Sequence, residues 1–197
     1  MIHHIDRLSV DVVRLQLRVI DPEPLNYQAG QYLAIHLPDG VTRCYSMARR
    51  QEVDTPLEFH IRLHDNGVFS NWIVAALDAP HTNNLNLSVS GPFGDCTWRA
   101  QQPLSPMNIM LGSGTGIAPL TALIDEGLAN NPDTPIALYW GGDRPTIFTV
   151  KATSILWPKN TKISGLYRSL TRQTTFGRGV EASFRSVLPQ TSQNCKM

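Results

Sequence analysis

The stretch from Met107 to Trp140 restricts the fold more than any other part of the sequence. Met107-Asn-Ile-Met-Leu is a short apolar run, Gly112-Ser-Gly-Thr-Gly is a loop, residues 118–129 read as helical, and Ile136 to Trp140 form a second apolar run. Strand, glycine loop, helix and strand in that order make a βαβ unit. Strands joined by such a crossover run parallel, and a ligand is expected in the crevice beyond their carboxyl ends. The glycines let the backbone approach a bound nucleotide there.

The residues before this unit follow a different pattern. Val13, Leu15, Leu17 and Val19 alternate with Arg14, Gln16 and Arg18, the period of a half-buried strand, and Asp21-Pro-Glu-Pro ends it. Further short strands are expected at 31–37, 41–45, 57–63 and 85–89, separated by turn formers such as Pro38-Asp-Gly and His64-Asp-Asn-Gly. Many short strands at this spacing predict a small antiparallel β-barrel. A helix is expected from Ser70, as N-cap, to Leu77, with Trp72, Ile73, Ala76 and Leu77 at helical spacing. Ala100-Gln-Gln-Pro-Leu-Ser-Pro reads as a linker.

Composition narrows the functional classes. A chain of 197 residues, 42% apolar and 17% charged, has the balance of a soluble globular protein. Its N-terminus lacks the charged start and apolar run of a signal peptide, and no apolar stretch approaches a membrane span, so a cytoplasmic location is expected. Cys44, Cys96 and Cys195 are too few and too dispersed for a zinc site, an iron–sulfur cluster of its own or a disulfide framework. The six histidines show no metal-ligand spacing and read as surface or barrel residues, so no metal site is expected. Neither nucleic-acid nor membrane binding is indicated.

Five short strings carry the candidate chemistry. Arg43-Cys44-Tyr45-Ser46-Met47-Ala48, at the end of an expected strand, offers positive charge, an aromatic face and a hydroxyl. A flavin needs these: charge for its pyrophosphate, a face for its ring and a hydrogen-bond partner near N5. Asn66-Gly67-Val68-Phe69-Ser70 runs from a glycine turn into a helix start, where free backbone N–H groups suit a phosphate. Ser90-Gly91-Pro92-Phe93-Gly94, Gly112-Ser-Gly-Thr-Gly-Ile-Ala-Pro119 and Tyr139-Trp140-Gly141 complete the set.

In this order and at this spacing, Arg-x-Tyr-Ser-x-Ala, Gly-x-Phe-Ser, Gly-Pro-x-Gly, Gly-x-Gly-Thr-Gly-x-x-Pro and Tyr-Trp-Gly resemble the ferredoxin–NADP reductase superfamily, in particular its NAD(P)H–flavin reductase and oxygenase-reductase branch. The resemblance covers residues 5–144. It implies a β plus α/β fold, a small antiparallel FAD-binding β-barrel (1–102) followed by an incomplete Rossmann-like nucleotide-binding domain (103–144). It also implies an oxidoreductase passing electrons from NADH or NADPH through FAD to an acceptor: free flavin, a ferredoxin or an oxygenase component. By the resemblance Arg43 binds the pyrophosphate, Tyr45 lies along the isoalloxazine and Ser46 hydrogen-bonds near N5. Gly67, Val68, Phe69 and Ser70 contact the pyrophosphate, and Cys44, His60 and Arg62 are counted with the cofactor-binding residues. Gly112, Gly114, Thr115, Gly116, Pro119 and Gly141 receive the nicotinamide nucleotide. Ser46 and Thr115 stand nearest the hydride transfer from nicotinamide C4 to flavin N5 and are the expected catalytic positions. Asn66 and Arg49 depart from the family, which often has glycine and a small polar residue there. Asp143 and Arg144 point in opposite directions on NADH against NADPH.

Beyond Arg144 the resemblance ends. Residues 1–144 hold 9 Arg, no Lys and 15 acids, whereas residues 145–197 hold 8 basic residues and a single acid, Glu181. Relatives continue with an acidic-Leu-Tyr segment, more βα units and a Cys-Gly-x-Pro-x-Met motif. If each new codon takes the third base of one codon and the first two of the next, Arg144-Pro-Thr-Ile-Phe-Thr can encode Ala-Asp-Asp-Leu-Tyr, the missing segment. Read the same way, the stretch from Gly165 to Val180 can encode Val-Pro-Val-Leu and Trp-Thr-Gly-Arg strings like those of relatives. The expectation is a change of reading frame near Arg144, leaving 145–197 as an aberrant tail. A flavin-binding remnant with weak or absent NAD(P)H oxidation is then the alternative function.

Overall fold

The structure, a computed structural model, describes residues 1–21, 25–79, 85–99 and 108–141. The reading-frame expectation therefore lies outside the described residues.

Among the described residues of the first hundred there are six strands and one helix: β1 (Ile2–Arg7), β2 (Val12–Leu17), β3 (Tyr32–His36), β4 (Thr42–Ser46), β5 (Leu57–Arg62), α1 (Val68–Asp78) and β6 (Ser88–Phe93). They form two antiparallel three-stranded sheets, β1-β2-β5 and β4-β3-β6, wrapped around one core. Alternation is the cause. In β2, Val13, Leu15 and Leu17 point inward and Arg14 and Gln16 outward, and their β5 partners Ile61, Phe59 and Leu57 are also buried. From the other sheet Leu33 and Ile35 fill the same core with no exposure. Burying a side chain the size of Phe59 contributes about 2–3 kcal/mol. Ala48 N–H donates to Glu58 C=O at 2.8 Å and Met47 N–H to Gln31 C=O at 3.1 Å, tying the segment after β4 across to β5 and β3. The expected antiparallel barrel is thus present as two curved halves.

Three elements differ from the sequence expectation. The strand β1 is additional: His3 and His4 interrupt its alternation, and only pairing with β2 defines it. The strand expected at 85–89 is displaced to Ser88–Phe93, across Ser90-Gly-Pro, residues that usually mark turns. A register shift opposite Tyr32 and Ala34 accommodates them, and Gly91 sits at φ 128°, where a Cβ would press on Leu33 at 2.8 Å. Helix α1 begins at Val68 with Gly67 as N-cap, not at Ser70, whose Oγ instead accepts the His64 N–H at 2.9 Å.

The second region holds β7 (Asn108–Ser113), a tight turn (Gly114–Gly116), α2 (Ile117–Asn130) and β8 (Ile136–Gly141). As expected, β7 and β8 are parallel, in register from Asn108↔Ile136 to Ser113↔Gly141. The strand runs two residues further than the sequence suggested, so the glycines begin inside it. Pro119 lies in the first turn of α2, where its missing N–H costs nothing. The helix buries Ala122, Leu123 and Ile124 against Met110, Ile136 and the barrel residue Ala29. It is also docked by the Thr121 hydroxyl, which donates to Ala48 C=O at 2.8 Å, and by Trp98, whose indole occupies the space a Gly127 side chain would need. No helix among the described residues is long and apolar enough to cross a membrane.

Candidate functional site

Strand β4 presents Arg43 and Cys44 to solvent and half-buries Tyr45 and Ser46. Antiparallel pairing sets Tyr45 beside Leu33 and Arg43 beside Ile35, so the tyrosine and arginine share a side of the strand as alternation requires. The Tyr45 ring stands 5.2 Å from that of Phe69 in a tilted pair. Burial pushes the Tyr45 phenol up to about 12, against the opposing charge of Arg43. Arg43 donates to Thr42 C=O at 2.8 Å, and among the described residues no carboxylate pairs with it.

Because Tyr45 touches Phe69, the end of β4 and the start of α1 are brought together. Asn66 takes φ 59°, a left-handed value that glycine and asparagine tolerate best, which reconciles its departure from the family pattern. Gly67 then caps the helix without a side-chain bond, and no acid lies in the first turn. The N–H groups of Val68, Phe69 and Ser70 lie in the helix's first turn, where no intrahelical acceptor exists. A Cβ on Gly67 would crowd Ser70 Oγ at 3.0 Å and His64 O at 3.2 Å, so the turn is as narrow as glycine permits. Val68 is exposed, whereas the Phe69 and Ser70 side chains are buried.

His60 and Arg62 lie on the outward side of β5. His60 is buried with Nε2 3.2 Å from Glu58 Oε1, and Arg62 approaches Asp11 at 3.6 Å. Glu58 is the residue that the sequence reading missed. It is 7% exposed and meets Gln16 at 2.8 Å and Arg49 at 3.2 Å. Burial alone would raise its pKa, but hydrogen bonds from His60 and Gln16 and the charge of Arg49 outweigh that and hold it at about 2. An acid in mid-strand between Leu57 and Phe59, two residues from a histidine, was the available signal.

The glycine-rich nucleotide string is packed on the barrel. The Gly114–Gly116 turn lies against β5, and Ala48, two residues beyond Ser46, accepts the Thr121 bond from α2. Gly112 meets Leu120 so closely that a Cβ would fall 2.8 Å from it, Gly114 is buried at φ 52°, and Gly116 faces open space. Thr115 is half-buried between them. Gly141 pairs with Ser113 at the carboxyl ends of β7 and β8, as the βαβ reading placed it. A groove of about 930 Å³ between Leu17, Tyr27, Arg50 and Thr55 contains none of the sequence-predicted site residues. Among the described residues no group of three or more His, Cys, Asp or Glu could hold a metal ion.

Residues 1–98 match the family model described as the oxidoreductase FAD-binding domain. Through these residues the chain belongs to that family. FAD is accordingly its cofactor, and the residues present fit it: an exposed guanidinium on β4 with no carboxylate partner among the described residues, an aromatic ring two residues on, and a helix N-terminus with neither side-chain cap nor acid. Curated relatives of this FAD-binding domain include the reductase component of propane 2-monooxygenase from Gordonia sp. (strain TY-5), 30% identical over 138 residues, covering 70% of this chain and 38% of that protein. Reductase component 2 of terephthalate 1,2-dioxygenase from Comamonas sp. is 32% identical over 151 residues, covering 76% of this chain and 42% of that protein. Among solved structures, a cytochrome P450 reductase of Amycolatopsis superposes with a TM-score of 0.68 at 26% identity, covering 83% of this chain and 49% of that one. A ferredoxin reductase in carbazole 1,9a-dioxygenase gives 0.68 at 22% identity, covering 92% and 55%, and shows likeness of fold. The chain spans about two-fifths of the length of these curated relatives.

Proposed function

We propose that this protein takes electrons from NADH or NADPH into FAD and hands them to a separate acceptor, an oxygenase component, a ferredoxin or free flavin. Bound FAD supplies the two-electron chemistry; the chain's residues hold and orient it. Arg43 neutralises the pyrophosphate, helped by the N–H groups of Val68, Phe69 and Ser70 at the start of α1. Tyr45, fixed by Phe69, gives the ring a flat apolar face, and Ser46 stands at the strand end as the hydrogen-bond partner near N5. Gly112, Gly114, Thr115 and Gly116 bring the backbone, and Thr115 its hydroxyl, to the nicotinamide side, while Thr121 on Ala48 keeps the two sides in register. His60 and Arg62 complete the barrel side of the site, with Cys44 exposed on its rim. The observation that supports this reading is that the Tyr45–Phe69 contact joins the β4 end to the α1 start, while the Thr121–Ala48 bond docks the helix after the Gly114–Gly116 turn two residues beyond Ser46.

A second reading, a flavin-binding remnant without nucleotide turnover, is favoured by the two-stranded parallel sheet, whose Ile109 and Leu111 stay exposed among the described residues. Anaerobic addition of NADH, then NADPH, to the FAD-loaded chain separates the two. Bleaching of the flavin absorption supports electron transfer, bound flavin that stays oxidised supports the remnant, and a chain that binds no FAD refutes both.

A further inference from the structure

The indole N–H of Trp140, at the end of β8, donates to Gly114 C=O at 2.9 Å. Ile117 N–H donates to the same oxygen. The Gly114 carbonyl therefore has both lone pairs engaged and its direction fixed from two sides. Gly114 takes φ 52°, a value at which the peptide that follows can rotate among several orientations unless something holds it. That peptide is trans, because the only cis bond among the described residues is Gly91–Pro92. In a planar trans peptide the N–H points opposite to the C=O. With the carbonyl drawn toward the β8 indole and the Ile117 amide, the Thr115 N–H points the opposite way, away from both.

We infer that Trp140 is a positioning residue for the nicotinamide nucleotide: its indole N–H aims the Thr115 amide as a preset donor to a ligand oxygen. The inference rests on the proposal that this turn receives the nucleotide. Chain and ligand contribute separately here. Trp140 touches no substrate, and it acts on the nucleotide through the 114–115 peptide. The residue is half-buried and 26 positions from Gly114 in sequence, so the bond depends on the βαβ fold and not on local chain geometry.

The test is Trp140→Phe, which keeps an aromatic ring and deletes the donor. NAD⁺ and NADP⁺ are titrated into the FAD-loaded full chain and binding is followed by calorimetry. Loss of one aimed hydrogen bond predicts a dissociation constant about 5- to 10-fold weaker for whichever nucleotide binds. FAD affinity remains that of the parent and the melting temperature falls by no more than a few degrees, a separation that a general packing defect would not give. Unchanged nucleotide affinity in a folded Trp140→Phe chain overturns the inference while leaving the proposed function intact. Failure of the parent chain to bind either nucleotide overturns that part of the proposed function, and the inference with it. If Trp140→Phe fails to fold, the parent's indole resonance decides: nucleotide must slow its hydrogen exchange and shift the Thr115 amide signal, and unchanged signals overturn the inference.

Discussion

In the barrel, strands from two sheets turn an apolar side inward, and Leu15, Leu33, Ile35, Phe59 and Ile61 lose all exposure. In the parallel pair behind it, Met110 and Ile136 are covered by α2, while Ile109 and Leu111 on the opposite side remain 63% and 71% exposed. The alternation is the same in both regions; the number of layers is not. Two sheets facing each other complete a core between them, whereas a two-stranded sheet with one helix covers a single side. Among the described residues, the second region gains its remaining support from the barrel, through Ala29, Trp98 and Ala48.

The contrast can be broken most directly by cutting into each region. Phe59→Ala is expected to cost about 3–5 kcal/mol in chemical denaturation, because it opens a cavity in the shared core. A loss below about 1 kcal/mol would mean that the sheets do not share one core. Glu58 gives the next effect. Its folded pKa of about 2 lies below the ordinary 4.5, so the carboxylate stabilises the fold fully above pH 4.5 and loses that contribution as pH falls through about 2. The contribution is on the order of 3 kcal/mol, and Glu58→Gln should flatten the acid limb of the urea midpoint between pH 6 and pH 2. An unchanged limb would assign acid sensitivity to other carboxylates. Arg43→Ala, on the rim, should leave stability alone and weaken FAD binding about 10- to 100-fold, as expected for charge-assisted hydrogen bonds. Leu111→Ser should change stability by less than about 0.5 kcal/mol. A loss above about 2 kcal/mol would show that residues beyond 141 cover that sheet face.

Much of this was legible before the structure. Alternation in Val13–Leu17 marked β2, short runs between turn formers marked β3 and β5, and the apolar runs flanking glycines marked the parallel unit. β1 was hidden because its histidines break the period, and β6 because Gly91-Pro92 imitates a turn while occupying a register shift. In the site, the strings around Arg43, Gly67 and Gly114 could be located from residue types alone. Glu58 with Gln16, and Trp140 with Gly114, could not, since each pair is made by tertiary pairing across 42 and 26 residues. The N-cap of α1 was misplaced by three residues because Ser70 has the chemistry of an N-cap but uses it on His64.

Whether the end of β4 and the start of α1 form the FAD site is decided by a fluorescence titration of FAD with the purified full chain. Saturable binding is expected, with quenching of flavin emission by Tyr45, retained flavin through gel filtration, and a weaker curve for Arg43→Ala. A chain that melts cooperatively yet leaves FAD free in solution would contradict it.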